Sequence, residues 1–495
     1  MKNYYIGIDI GTTNIKSVLF DRSFNQVFAS SIPNETIYPQ DGWCEQNMND
    51  VFNKTIQSLK HLTNDAGVDV KDIKAIGISG QGEGAWLVDQ NGHPVRNAII
   101  WSDTRASSVI SKIDHDLIKA LACETGSEPQ PGNMSMILKW LSDNEPATLA
   151  KASYSVFAKD WIRFGLTGRM DLELSDVGTS MINLKTQSLS DLVFEKLNLN
   201  ACSSLFPQIK NSTEIAGKIT DEVAKLTGLS AETVVVMGGV DVSCAALGLG
   251  ACEEGDVFSI LGTTCCTGVI SKIPEIKGEG LRCIPNVVSA SFIDLIATLS
   301  GTPNLDWAIE NLSCPKDFKA IEALISSVSV GAGGVWYHPY IGGERAPFLN
   351  TNARASFFGI SQGTTQAHLL RAVFEGISYT IKDALQGHPK GEFIYLAGGG
   401  SNSKSWLQII ADMTDRTVIV PGDKEISAKG AAMLAGIAVG DLKDIHDEKY
   451  FNVDEEIKPI QENVIAYERL YSFYKEFRIK ANDLWNLRAE IRRGN

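Results

Sequence analysis

The sequence predicts an α/β protein of two domains, and three observations carry that reading. At 495 residues the chain exceeds what one hydrophobic core ordinarily serves. One pattern occurs twice: an apolar strand, a Gly-Thr-Thr tip and a return strand, at Asp9-Ile-Gly-Thr-Thr13 and again at Ile260-Leu-Gly-Thr-Thr264. The copies stand about one domain length apart. Apolar strands also run repeatedly into glycines and then into helical periods, as at Val234–Asp241 and Phe393–Gly400. The expected division is 1–245 and 246–495.

Tyr4–Ile10 reads as a buried strand interrupted by one charge, Asp9, and Lys16–Asp21 as its return. The tip between them offers backbone N–H groups, the Thr12 and Thr13 hydroxyls and, just beyond, the Lys16 cation. Gly11 admits close approach of a ligand to the backbone. Donors plus a cation suit phosphate, and Asp9 could hold the accompanying Mg²⁺ through oxygen. The alternative is an ordinary hairpin with Thr-rich turn chemistry. A helix is expected over Asn49–Leu62, then a strand over Ile73–Ser79 that ends in Gly80-Gln-Gly-Glu-Gly84. That glycine run resembles a dinucleotide fingerprint, but such a loop must open a helix. Here Trp86–Asp89, Asn91-Gly92 and Ala98–Trp101 signal a hairpin, which excludes a dinucleotide oxidoreductase. Gln81 and Glu83 then stand free to meet a polar ligand, or belong to a plain glycine turn. Trp101-Ser-Asp-Thr-Arg105 places a ring and a carboxylate, Asp103, where they suit a polyol; a buried Trp beside a surface ion pair is the alternative.

From Ile110 to Gly168 the chain reads as mostly helical, with amphipathic pieces at Ile137–Leu141 and Lys159–Gly168. The Ser/Asp/Thr-rich stretch from Glu173 to Thr186 is a loop or lid candidate. Thr213–Leu226 reads as strand then helix. Asp241, after Gly238-Gly239, either caps the next helix or serves as a general base. Helices are expected over His368–Asp383, with Leu369, Ala372, Val373, Ile377 and Ile381 on one face, and over Ala428–Val439. A strand is expected at Thr417–Pro421. The glycine turn Gly398–Gly400 precedes a helix whose N-terminus favours an anion, or is a tight structural turn. From Val464 to Arg488 a long helix is expected, its pattern carried by Leu470, Phe473, Phe477, Ala481, Leu484 and Arg488. It packs on the second domain, with a homodimer contact as the other option.

Composition bounds the function. The chain is 44% apolar and 21% charged, and Lys+Arg 45 against Asp+Glu 59 gives −14. That balance argues against nucleic-acid or anionic-membrane partners. No leader or membrane span is expected, and nine cysteines without C-x-x-C spacing read as reduced thiols of a cytoplasmic enzyme without zinc.

With these motifs in place the chain resembles the FGGY family of carbohydrate kinases, of the actin/hexokinase/Hsp70 superfamily, from Tyr5 to about Gly440. The carrying motifs are Gly7–Lys16, Gly77–Glu83 with Trp101–Arg105, Gly238–Asp241, Leu261–Thr264, Phe357–Ile360 with His368–Glu375, and Ala397–Ser403. The family's pattern around Met136–Trp140 fits only partly. The resemblance implies two actin-like (ribonuclease H-like) domains, each a mixed sheet flanked by helices, with a cleft between them. It implies ATP and Mg²⁺ as cofactors and a small-molecule sugar as substrate. Asp241 resembles the general base, and Asp9, with Asp241, the acids near Mg²⁺. Gly11, Thr12, Thr13 and Lys16 match one phosphate clamp and Gly262 and Thr263 the other. Gly399, Gly400 and Ser403 lie where the family holds adenosine. Gln81, Glu83, Trp101, Asp103 and Asp241 form the sugar side. The Gly-Gln-Gly run followed by a charge resembles L-xylulose kinases. The substrate expected is therefore a ketopentose, L-xylulose first, with erythritol or another short polyol second. A non-catalytic actin- or Hsp70-like nucleotide switch is the reading from another class; it would not need Asp241 or the polar set around Trp101.

Overall fold

The computed structural model describes residues 3–278 and 280–493. Its first sheet runs, from one edge, Gln26–Pro33, Asn14–Phe20, Tyr4–Ile10, Ile73–Gly80, Val234–Val236 and Ile215–Lys218, with Gly239–Val240 extending the pairing on Ile73–Gly80. Its second sheet runs Phe292–Thr298, Cys265–Ser271, Val257–Leu261, Phe393–Ala397, Thr417–Pro421 and Val453–Ile457. Arg282–Pro285 is added outside Phe292–Thr298. Read in that direction the two sheets share one sequence of pairings: antiparallel, antiparallel, parallel, parallel, antiparallel. The echo between the two Gly-Thr-Thr tips is thus the local trace of a duplicated plan. The two tips differ by one residue, because Ile10 pairs Ile15 across four residues whereas Leu261 pairs Cys265 across three.

The central strands are buried on both faces, as their near-continuous apolar runs require. Met48–Asp65 covers the first sheet on one side, capped by Asn47, whose side chain accepts the Asp50 N–H. The other side is covered by Ile426–Ala438, a helix that belongs in sequence to the second half. That helix also packs against Asp241–Leu249, so the two helices form the seam between the halves. Glycines allow the approach. A Cβ on Gly7 would stand 1.8 Å from the Ala428 carbonyl oxygen, one on Gly77 1.8 Å from that of Ala431, and one on Gly430 1.9 Å from that of Cys244. Gly77→Ala forces a backbone carbonyl to move. It is expected to cost at least about 1–3 kcal/mol, read as a lowered urea midpoint; an unchanged midpoint would show that the seam is loose.

Two expectations need correcting. The stretch from Glu173 to Thr186 is no lid: Glu173, Ser175, Asp176, Thr179 and Ser180 are buried, and Glu173 and Asp176 meet the buried Lys159 ammonium. Its polar composition serves an internal ion cluster. The C-terminal helix spans Gln461–Arg493 and does pack on the second half, with Leu470, Phe473, Phe477 and Ala481 against it, but its buried centre is a row of tyrosines and Leu484 points away. Tyr467, Tyr471, Tyr474, Ala481 and Trp485 are buried, while Leu484 is 64% exposed. Tyrosine hydroxyls choose that face: Tyr467 donates to Glu375 (2.8 Å) and Tyr471 to Asp383 (2.6 Å). The segment after Gly84 continues as the strand Trp86–Val88, not a helix, in keeping with the excluded dinucleotide loop.

Candidate active site

The first tip is held rigid from several sides. The Gly11 N–H donates to the Asn14 carbonyl (3.0 Å) and Asn34 Nδ2 to the Gly11 carbonyl (3.0 Å). Thr12 Oγ1 donates to Gln81 Oε1 (3.0 Å) and accepts from Trp101 Nε1 (3.0 Å), while Gln46 Nε2 donates to the Thr12 carbonyl (3.0 Å). Gln81 Nε2 in turn donates to Gln46 Oε1 (2.8 Å). Both ends of the Gln81 amide thus orient the tip in this structure. Thr13 remains exposed. Lys16 Nζ reaches Glu425 Oε2 at 2.6 Å, just before the helix Ile426–Ala438, and so ties the first tip to the second half. At the second tip Gly262 N–H donates to the Thr264 carbonyl (3.0 Å), the Thr302 N–H donates to the Gly262 carbonyl (2.8 Å), and Thr263 is exposed.

Asp9 ends the strand Tyr4–Ile10, and Asp241 opens the helix Asp241–Leu249, where its Oδ1 accepts the Val242 N–H at 2.7 Å. Each is partly exposed, while protein packed densely around it makes ionisation costly. Burial raises Asp9 to about 6, against the pull of Lys16. Burial, then repulsion from Asp9, raises Asp241 to about 7. Two acids that disfavour each other's charge beside a cation already paired to Glu425 form a site short of positive charge. A divalent cation fits it. Among the described residues no group of three or more metal-ligating side chains is gathered.

Beside Asp241 opens a cavity of about 660 Å³ with walls from both halves, including Glu83, Trp101 and Asp241 from the first and Cys266, Arg282 and Arg345 from the second. Trp101, 49% exposed, presents its ring while its N–H fixes Thr12, which joins the cavity to the first tip. Asp103 reaches the cavity wall, but its carboxylate is taken: it accepts the Cys44 N–H (2.6 Å) and Arg105 Nε and Nη2 (2.9 and 2.8 Å). These contacts anchor the loop behind Trp101. Arg105 is stacked over Trp43, 3.9 Å from the ring centre, so the motif's ion pair is buried rather than superficial.

A second cavity, about 570 Å³, lies beside the glycine turn and is lined by residues that include Gly398, Asn402, Lys404, Gly422 and Asp423. The parallel register Ile260↔Ala397 places this turn next to the second Gly-Thr-Thr tip. Gly398 has φ +96°, and a Cβ on Gly399 would meet nothing within 4 Å, so the backbone there is open to a ligand. Gly400 is different: a Cβ would stand 2.4 Å from Leu261 Cδ2, which makes it a packing glycine. Ser403 is also internal, capping the helix Lys404–Thr414 by accepting the Trp406 N–H (3.2 Å) and donating to Glu322. These two support the turn rather than face its cavity. Sequence reasoning missed Asp423, Lys424, Asp454 and Glu455 on this wall, and Arg282 and Arg345 on the other. None carries a local signal.

The duplicated sheets, the paired tips and the cleft acids define a sugar kinase of the actin-like fold. The chain belongs to the FGGY family of carbohydrate kinases: residues 4–248 match its N-terminal domain and residues 257–439 its C-terminal domain. It is similar to xylulose kinase of Staphylococcus xylosus, 30% identical over 485 residues that cover 95% of this chain and 99% of that one. It is 28% identical to a probable L-xylulose kinase of Pasteurella multocida, over 96% of this chain and 98% of the other. The fold matches the solved structure of ligand-bound xylulose kinase from Lactobacillus acidophilus, with a TM-score of 0.88, 23% identity and coverage of 97% and 98%.

Proposed function

We propose that this sugar kinase phosphorylates a ketopentose, L-xylulose first, with Mg-ATP, and that Asp241 takes the proton from the attacking hydroxyl. The observation that carries the reading is the cavity of about 660 Å³ in which Asp241 stands beside Glu83 and Trp101. That volume lies in the ordinary small-molecule range of ~300–1,000 Å³. The Trp101 ring suits the C–H face of a sugar, and Glu83 its hydroxyls. The exposed Thr13 and Thr263 tips, with Lys16, face the phosphates from the two halves, and the open backbone at Gly398–Gly399 takes the adenosine. Lys16 would leave Glu425 to do so. Asp9 and Asp241 would hold the Mg²⁺, which supplies charge neutralisation for the transferred phosphoryl group. Phosphoryl transfer asks of the chain mainly positioning, and a closed cleft limits loss of ATP to water.

We divide the labour at residues 245 and 246. The first part carries the sugar side and one tip, and the second the other tip and the adenosine turn. The line crosses the helix Asp241–Leu249, which suits a helix at the seam. Nine unpaired cysteines support a reducing, cytoplasmic setting, and among the described residues no helix is long and apolar enough to cross a membrane.

The test is ADP release with Mg-ATP across D- and L-ketopentoses, ketohexoses, erythritol and glycerol. Fastest turnover on L-xylulose is the expected result. Turnover on erythritol alone moves the substrate to a short polyol, and ATP binding with no sugar-dependent ADP release revives the nucleotide switch. The pH profile gives a second check. Asp241 acts as a base only when ionised, so at low Mg-ATP the kcat/KM for sugar should fall about tenfold per pH unit below about 7. Asp9 and Asp241 interact, so the limb reports the pair. Saturating Mg-ATP should move it to lower pH, because bound cation favours the ionised acids. A profile flat from pH 5 to 8 would remove the carboxyl base.

A further inference from the structure

Glu83 stands at the rim of the sugar-side cavity with φ +63°, the left-handed region, which is costly for a residue with a Cβ. The conformation is held in place. Its N–H donates to Asp176 Oδ1 (3.2 Å), and the next N–H, that of Gly84, donates to the Gly132 carbonyl (2.9 Å). Backbone strain retained by such support, and aiming a carboxylate into a cleft, is a feature of functional sites.

The residue that meets Glu83 comes from the other half. Arg282 opens the edge strand Arg282–Pro285 of the second sheet. That strand is docked firmly on the first half: the Cys283 N–H donates to the Gly126 carbonyl (2.7 Å), and a Cβ on Gly178 would stand 2.5 Å from Pro285 Cδ. Arg282 spends Nη2 on Glu83 Oε1 and Nε on Ser127 Oγ (3.2 Å). Among the described residues no protein group bonds Arg282 Nη1 or Glu83 Oε2, and neither atom is sealed from solvent. The side chains themselves are mostly covered, at 21% and 11% exposure, so the pair is fixed while one donor and one acceptor remain open in the cavity.

We propose that Arg282 and Glu83 act together as the hydroxyl-recognition edge of the sugar site, with Arg282 a specificity-determining residue supplied by the second half. The inference rests on the kinase reading above. An open N–H beside an open carboxylate oxygen matches two neighbouring hydroxyls of a sugar: one accepts from the guanidinium and the other donates to the carboxylate. Inverting one of the two carbinols leaves one buried partner unmatched, which is how a polar site rejects a near-isostere. Because the edge joins the two halves, it also orders the sugar against both walls of the cleft.

The test is steady-state kinetics of Arg282→Ala, Arg282→Lys and Glu83→Gln on whichever sugar of the panel the wild type turns over fastest, and on its epimers. An error over the ketopentose changes the sugar in the assay and leaves the comparison intact. Arg282→Ala is expected to raise the sugar KM tenfold to a hundredfold, on the order of a lost charged hydrogen bond, with the ATP KM within about twofold. Arg282→Lys should recover part of this, since it keeps the charge but not the fork. The wild type's preference among epimers should narrow in all three variants. A sugar KM within about twofold of wild type, or an epimer preference unchanged while thermal stability falls, would overturn the proposal and leave Arg282 a strut between the halves.

Discussion

Asp241→Asn is expected to keep ATP binding and to lower kcat by about 10²–10⁴-fold, the usual contribution of a positioned general base. The substitution is nearly isosteric. The amide oxygen still accepts the Val242 N–H, so that contact at the start of the helix Asp241–Leu249 is kept. Stability supplies the control. Asp241 is raised to about 7 by burial and by Asp9, so its contribution to stability is full below the unfolded value of 3.8 and is lost as pH rises through about 7. Above neutrality the wild type bears the cost of an ionised buried acid that the asparagine lacks. The variant should therefore be at least as stable as the wild type at pH 8, and the activity loss cannot then be put down to unfolding. Measured turnover close to the wild type would take Asp241 out of the base role; lost turnover with a lowered melting temperature would point to a structural role.

The parts of this site that were legible in the sequence are those encoded within a few residues. A strand, a Gly-Thr-Thr tip and a return strand form a local unit, so Asp9, Thr12, Thr13, Gly262 and Thr263 could be placed from pattern alone. The strands Tyr4–Ile10 and Thr417–Pro421 fall where their apolar runs put them. The motif Trp101–Arg105 was legible as a unit, but which of its side chains meets a ligand was not. Asp103 looks free in sequence and is consumed by Arg105 and the Cys44 N–H only once the chain is folded. Gly400 and Ser403 share that fate. Gly400 must yield to Leu261, 139 positions earlier, and Ser403 is needed as a helix cap. Arg282 and Glu425 are the converse case. Each reaches the site through pairing between distant segments, and an isolated charge on a strand or before a helix announces nothing. In the C-terminal helix, apolar periodicity favoured Leu484, yet the buried face follows tyrosines whose hydroxyls find carboxylates. Period alone cannot see that satisfaction of polar atoms.

The largest expected loss of stability comes from Lys159→Met. Lys159, Asp160, Arg163, Glu173 and Asp176 are all fully buried. The ammonium lies 2.9 Å from Asp176 Oδ2, 3.2 Å from Asp160 Oδ1 and 3.4 Å from Glu173 Oε2, and Arg163 Nη1 lies 2.7 Å from Asp160 Oδ1. Three carboxylates face two cations, so the cluster is neutral when one acid holds a proton. Burial raises Asp176 to about 8, although Lys159 pulls the other way. Removing the lysine leaves Asp176 and Glu173 without their cation, a loss of about 3–5 kcal/mol for a broken buried pair and a fall in Tm on the order of 10 °C. The sign with pH follows from the raised value. The stability tied to the Asp176 proton is full below 3.8 and is lost as pH rises through about 8 in the wild type. Without Lys159 the same acid is harder still to ionise. The urea midpoint of the variant should therefore fall further below the wild type at pH 8 than at pH 6, and Lys159→Met with Asp176→Asn should recover part of the loss. An equal deficit at both pH values would mean that lost packing of the lysine stem, rather than charge, is responsible. The cluster also reaches the chemistry: Asp176 holds the strained Glu83 N–H, and Glu173 accepts the Ser175 hydroxyl (2.7 Å), whose oxygen accepts the Val240 N–H (3.0 Å) one residue before Asp241. Enzyme that survives the substitution should therefore lose sugar affinity and turnover together, because the same buried charges seat the carboxylate that reads the hydroxyls and the one that takes the proton.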